Sequence, residues 1–131
     1  MLALHGIDML RQHVRPETRI GSYIVDGGRA SNVVPDYAEV ECCIRHSERA
    51  YLDTVVAKVM KCFEGAAIAT ETTYDVKQMG CKFDNMVWNE TATKAAEQVL
   101  NDMGIAYEVP KDCGSSDVAT SATSARPSTF I

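Results

Sequence analysis

The stretch Ala38-Glu-Val-Glu-Cys-Cys-Ile-Arg45 decides the fold. Val40, Cys42 and Ile44 alternate with Glu39, Glu41, Cys43 and Arg45, and successive side chains of a strand point to opposite faces. One face is therefore apolar and the other charged, the pattern of a strand that covers a core on one side only. Working backward, Ile20, Tyr23, Ile24 and Val25 predict a partner strand over Arg19 to Val25, closed by the turn signal Asp26-Gly27-Gly28. Between the two strands, Arg29 to Asp36 is too long for a tight hairpin, and Pro35 pushes Val34 toward an extended conformation. Earlier still, Leu2, Ile7, Leu10 and Val14 predict a helix over Leu2 to Val14, with Pro16 as its stop.

Downstream of Arg45, Ser47 offers an N-cap, and Leu52, Val55, Val56, Val59, Phe63, Ala66 and Ala67 recur at helical spacing. A third strand is expected near Thr72 to Met79, where Thr72, Tyr74 and Val76 alternate with Thr73, Asp75 and Lys77. Beyond Gly80, Asn89 can cap a helix carrying Ala92, Ala95, Ala96, Val99, Leu100 and Met103, stopped by Gly104. A short strand, Ile105 to Val109, precedes a tail, Lys111 to Ile131, rich in Ser, Thr, Gly and Ala and expected to be mobile unless another segment holds it. This order predicts an α+β fold. It corresponds to a ferredoxin-like two-layer sandwich, an antiparallel sheet with helices on one face, lacking its opening strand and followed by an incomplete α/β segment.

Composition narrows the function classes. The chain is 46% hydrophobic and 24% charged, enough apolar side chain to build a packed core. Its net charge of −5, without a Lys or Arg cluster, leaves no electrostatic footprint for nucleic acid. No apolar run approaches the roughly 20 residues of a membrane span, and no signal-peptide pattern is present, so a cytoplasmic protein is expected. The 5 cysteines form no C-x-x-C pair. Adjacent Cys42 and Cys43 would point to opposite faces of a strand, a poor geometry for zinc, so free thiols in a reducing compartment are expected.

Catalytic chemistry is thin. His5 and His13 lie about two helical turns apart and cannot share one metal, and His46 follows the second strand. There is no His-x-Asp, H-E-x-x-H, Gly-x-Ser-x-Gly or phosphate loop, so neither a catalytic residue nor a metal ligand is assigned. Arg45 ends a strand on its charged face. It could hold a ligand carboxylate through paired hydrogen bonds, or simply pair with Glu39, Glu41 or Glu48 on the sheet surface. Asn32 could serve a ligand or merely shape a turn, and Gly114-Ser-Ser-Asp117 could be an N-cap or a polar loop facing a site.

The ordered motifs carry a resemblance. The run from Asp26 to Arg45 contains Asn32-Val-Val-Pro35, then Ala38, then an Arg thirteen positions after the Asn. It resembles the lid, or dimerisation, domain of M20 metal-dependent peptidases and amidohydrolases. Leu10-Arg-Gln-His13, Cys62-Phe-Glu-Gly-Ala-Ala67 and Gly114-Ser-Ser-Asp117 resemble the aminobenzoyl-glutamate hydrolase branch. The resemblance implies a lid over residues 1 to 82, incomplete at its N-terminus, and part of the returning catalytic domain over 83 to 131. It implies a homodimer whose Asn32 and Arg45 reach the partner's active site and contact substrate, Arg45 through its free carboxylate, with Asp117 as a weaker third candidate. The continuation Ala119-Thr120-Ser121 departs from the family's usual Gly-Asn/Asp-Val.

For the parent enzyme, the resemblance implies zinc or another divalent metal and hydrolysis of an amide bond next to a carboxylate-bearing group, aminobenzoyl-glutamate or dipeptide-like. The family's metal ligands, a His-x-Asp motif and a Glu-Glu pair, have no match here. The chain alone is thus expected to bind no metal and to be inactive. Without the resemblance, the same residues would also suit a stand-alone α+β module that oligomerises through a sheet edge and binds a small carboxylate.

Overall fold

The computed structural model describes residues 1–80, 82–87, 89–108 and 119. The chain divides into two units, Met1–Met79 and Gly80–Ile131. The first unit opens with α1 (Leu2–Leu10), which tightens into a 3-10 turn over Arg11–His13. The helical stretch thus ends just before Val14, where the backbone becomes extended ahead of Pro16. Two antiparallel strands follow, β1 (Arg19–Asp26) and β2 (Glu39–Arg45), and then the long α2 (Arg49–Thr70).

The expected alternation on β2 decides how these elements pack. Cys42 and Ile44 lie against a core formed by Ile7 of α1, Ile20 of β1, and Val55 and Val59 of α2, whereas Cys43 and Arg45 are exposed. The adjacent cysteines do point to opposite faces. Burial pushes the thiols of Cys42 and Cys62 above their ordinary range, by removing water from the thiolate they would form. The register runs from Arg19 opposite Arg45 to Ile24 opposite Val40, and a bulge at Val25 then sets Asp26 opposite Glu39. Gly6 lets α1 approach α2, because a Cβ there would sit 3.3 Å from Cys62 Cβ.

Two sequence expectations fail locally in the first unit while the α+β class stands. Ser47 is not the cap of α2. Glu48 holds that position without a side-chain cap, and its amide donates to His46 Nδ1 at 2.9 Å. The third strand does not form over Thr72 to Met79. The segment is irregular, and Tyr74 and Val76 remain about half exposed. Alternation marks a candidate strand, but a ladder partner is needed to satisfy its backbone groups, and the described sheet has only β1 and β2. Instead the chain leaves α2 through Glu71 in the left-handed region (φ 53°), with Thr72 N donating to Ala67 O at 3.0 Å.

In the second unit, α3 (Glu90–Asp102) begins as expected, with Asn89 Oδ1 accepting from Ala92 N at 3.0 Å. Gly104 adopts φ +65° just past its end. The expected strand from Ile105 is irregular as far as Glu108, and Val109 and nearly all of the tail lie outside the described residues. No helix among the described residues is long and apolar enough to cross a membrane.

Ile7 is fully buried and Ile68 is 73% exposed. In urea unfolding, Ile7→Ala should lower stability by about 2–5 kcal/mol, whereas Ile68→Ala should change it by about 0.5 kcal/mol or less.

Candidate functional site

The two sequence-derived residues that can be located, Asn32 and Arg45, are both exposed. Asn32 occupies the third position of a turn in which Val33 N donates to Ala30 O at 3.3 Å. The loop around it is shaped by its own chemistry. Asp26 Oδ1 accepts from Gly28 N at 3.0 Å, and Gly28 has φ +105° with Pro35 lying where a Cβ would be, 2.6 Å from its Cγ. Asn32 is thus a turn residue, yet its side chain makes no hydrogen bond among the described residues and stays available. Beside it, Val33 is 61% and Val34 is 90% exposed.

Arg45 closes the other end of the sheet. The loop leaves and re-enters the ladder at Asp26 and Glu39, and the six residue steps from Glu39 to Arg45 span about 20 Å. No hydrogen bond or ion pair joins Asn32 to Arg45 among the described residues. Of the two uses considered for Arg45 from sequence, its surroundings bear on one, the surface salt bridge. Its Nε donates to Cys43 Sγ at 3.3 Å, a contact that raises its pKa. It makes no salt bridge among the described residues, because all three glutamates proposed as partners are engaged elsewhere. Glu41 accepts from Tyr23 Oη and Glu39 from Tyr37 Oη, each at 3.0 Å, while Glu48 pairs with Arg15 at 2.6 Å.

A compact cluster braces this end of the sheet. His46, next to Arg45, accepts the Glu48 amide on Nδ1 and leans on Tyr51 with ring centroids 4.6 Å apart. The Arg15 guanidinium lies 4.0 Å over the Tyr51 ring, and Tyr51 Oη accepts from Arg15 N at 2.9 Å. Sequence reasoning does not bring these residues together, since His46 and Arg15 share no motif and meet only through Tyr51 of α2. Arg19, which faces Arg45 across the ladder, escapes it for a similar reason: only the register reveals it.

No group of three His, Cys, Asp or Glu side chains among the described residues could hold a metal ion, so these residues do not fit the zinc site expected of the parent enzyme. Asp117 lies outside the described residues.

No family model matches the chain. It is 28% identical to the mouse (Mus musculus) Xaa-Arg dipeptidase over 107 residues, which is 82% of this chain and 25% of that protein. It is 34% identical to one of the subunits of the p-aminobenzoyl-glutamate hydrolase of Escherichia coli (strain K12) over 104 residues, covering 76% of this chain and 21% of that protein. It is 40% identical to N-acetyldiaminopimelate deacetylase of Leuconostoc citreum (strain KM20) over 53 residues, 40% of this chain and 14% of the relative. All are M20 proteins. The chain belongs to the M20 family. It spans about a quarter of the length of the first of these relatives. In this M20 chain the sheet thus carries at one end an arginine without a carboxylate partner among the described residues, and on the loop at the other an asparagine whose side chain makes no hydrogen bond among them.

The tyrosines that occupy Glu41 and Glu39 provide a check on this charge arrangement. Tyr23 and Tyr37 are held above the ordinary 10.0, chiefly because each donates to a carboxylate and secondarily because that charge opposes ionisation. Raised folded values mean that each contact stabilises the protein below the ordinary tyrosine range and is lost as pH rises through the folded value. Spectrophotometric titration should show both tyrosines ionising late, and Glu41→Gln should bring one of them, Tyr23, back toward 10.0.

Proposed function

We propose that this chain is the lid, with part of the returning catalytic segment, of an M20 amidohydrolase that cleaves an amide bond next to a carboxylate-bearing group. The observation that carries the reading is Arg45: exposed, charged, and without a carboxylate partner among the described residues, while Glu39, Glu41 and Glu48 are each bonded to another residue. A free guanidinium fixed at a strand end can take a carboxylate through two parallel hydrogen bonds, each worth about 1.5–3 kcal/mol when the partner is charged. The names of the relatives agree in kind, since a dipeptidase, an aminobenzoyl-glutamate hydrolase and a deacetylase of an acylated amino acid all act on amides of carboxylate-bearing compounds. Hydrolysis of such a bond returns an acid and an amine, and Arg45 would hold the carboxylate of the amine-bearing half in place.

The lid covers residues 1 to 82 in this reading and the return segment 83 to 131. Asn32 and Arg45 sit on opposite ends of one sheet, so a single bound substrate is better served by a lid that works across a homodimer. The exposed Val33 and Val34 beside Asn32 give that loop an apolar tip suited to burial against a second copy of the chain. Asp117 is retained as a further substrate-contacting candidate. The metal belongs to the rest of the parent enzyme, where it supplies an activated water; no step of that chemistry falls to the residues described above. The free cysteines suit a reducing, cytoplasmic setting.

In the parent enzyme, Arg45→Gln should raise KM for a carboxylate-bearing amide about 10- to 100-fold, the loss of one to two charged hydrogen bonds. An unchanged KM would refute the assignment. The purified 131-residue chain, supplied with zinc, should hydrolyse neither aminobenzoyl-glutamate nor dipeptides. Metal-dependent turnover by that chain would overturn the division of labour proposed here.

A further inference from the structure

Arg11, Arg15 and Arg19 recur at every fourth residue, but the chain carries them on the 3-10 turn, the connection before Pro16 and the start of β1. They nevertheless line one cleft of about 460 Å³, a size within the roughly 300–1,000 Å³ of small-molecule sites. Two of the guanidinium groups are fixed to its wall. Arg11 Nη1 donates to the Ile20 carbonyl at 2.6 Å, and Arg19 Nη1 donates to the carbonyls of Pro16 (2.6 Å) and Thr18 (3.1 Å). Ile20, Pro16 and Thr18 themselves line the cleft. Because Thr18 and Ile20 are two residues apart, their carbonyl oxygens lie at most about 7 Å from each other. Both cations are thereby pinned to one short stretch of backbone.

These anchors leave donors over. Arg11 Nε pairs with Asp8 at 3.0 Å and Arg15 Nη1 with Glu48 at 2.6 Å, both in exposed pairs, while Arg19 makes no salt bridge among the described residues. The Nη2 of all three arginines makes no hydrogen bond among those residues. No Asp or Glu lines the cleft among them either. Thr18 is only 9% exposed, and its Oγ1 is buried with no hydrogen-bond partner among the described residues. A buried hydroxyl without a partner is uncommon and marks a place for a ligand oxygen. Val14 and Ile20 add hydrocarbon wall, and at Gly21 even an added Cβ would meet only the Cys43 carbonyl oxygen, at 3.9 Å.

We propose that this cleft binds the phosphate group of a small soluble phosphate monoester, through the remaining donors of Arg11, Arg15 and Arg19 and the Thr18 hydroxyl, with the organic part against Val14 and Ile20. A phosphate monoester carries a charge of about −1.5 to −2 near neutral pH and offers three strong acceptor oxygens. A carboxylate brings one charge and two oxygens, too little to engage three guanidinium groups. Planar guanidinium forks suit phosphate geometry. The exposed pairs with Asp8 and Glu48 are weak, so a dianion can draw Arg11 and Arg15 toward it. The site is independent of the carboxylate role of Arg45 and goes beyond amide hydrolysis.

The test is calorimetric titration of the full 131-residue chain at low ionic strength and about pH 8 with phenyl phosphate and with benzoate, its carboxylate counterpart. Wild type should bind phenyl phosphate at least about tenfold tighter than benzoate. Arg11→Gln and Arg19→Gln should each weaken phenyl phosphate about tenfold or more, and Thr18→Val about three- to tenfold. Lys61→Gln, which removes the same charge from α2, should leave binding unchanged. Unchanged core amide NMR signals for Ile7 and Val55 certify that each variant is folded. A wild-type chain that does not bind phenyl phosphate, or binds benzoate equally well, overturns the site. So does a loss in Lys61→Gln as large as that in Arg19→Gln, which would reveal only diffuse charge attraction. A Thr18→Val chain that binds as wild type overturns the hydroxyl contact. Sedimentation of the chain with vesicles containing phosphatidic acid, abolished by Arg19→Gln, would overturn the soluble ligand in favour of a lipid headgroup.

Discussion

The parity of the β1–β2 ladder is the constraint on which the rest depends. Residues alternate strictly between faces, so placing Ile20 and Ile44 against Ile7, Val55 and Val59 forces Arg19 and Arg45 outward together. A slip of β1 by one residue against a fixed β2 would bury the Arg19 guanidinium and expose Ile20. The cost of burying an unpaired charge exceeds anything the surface contacts could return. The apolar core thus specifies the charged face without any contact between them. The bulge at Val25 confines the register change to the far end, next to the loop that carries Asn32, and leaves the arginine end regular.

Magnitudes separate what holds this unit together from what decorates it. Arg15 and Glu48 sit 2.6 Å apart but are 52% and 53% exposed, a setting in which an ion pair contributes roughly 0–1 kcal/mol. Full burial of a side chain such as Ile7 contributes about 1.5–3 kcal/mol, and the core has several. The braces around Tyr51 therefore act mainly on geometry. His46, Glu48 and Arg15 tie the start of α2 to the turn after α1, which limits how far the segment bearing Arg45 can move relative to the helices. The missing side-chain cap on α2 is offset in part by the bond from the Glu48 amide to the imidazole.

Features that depend on local pattern are legible in the sequence; those that depend on pairing are not. The alternation of Val40, Cys42 and Ile44 and the helical spacing from Leu52 to Ala67 locate β2 and α2, because burial of one face writes itself directly into residue order. Asn89 is recognisable as a cap because capping is a contact over three residues. Thr72 to Met79 shows equally good alternation, yet no described strand receives it, and alternation alone carries no information about a partner. Ser47 loses its expected role for a comparable reason: the helix starts one residue later, with Glu48 at the cap position and its amide donating to the His46 ring. The candidate Arg45 comes from a strand-end position and a family motif, but its lack of a carboxylate partner among the described residues emerges only when the tyrosines and Arg15 are seen to occupy the nearby glutamates. Arg19 needs the register itself.

An arginine left without a carboxylate is informative because pairing it would be easy. Three glutamates lie within a few residues of Arg45, and any of them could have formed a surface pair at little cost in entropy. Such a pair would add about 1 kcal/mol or less to stability, while a ligand carboxylate would then have to displace a covalently tethered competitor at high effective concentration. Engaging Glu39 and Glu41 through tyrosine hydroxyls removes that competition without removing the carboxylates from the surface. Tyrosine suits the task better than a second cation: it satisfies the carboxylate and adds no positive charge to the face. The stability forgone is small compared with the charged hydrogen bonds a ligand can form. The arrangement therefore leaves Arg45, at the strand end opposite Arg19 in the ladder, without a carboxylate partner among the described residues.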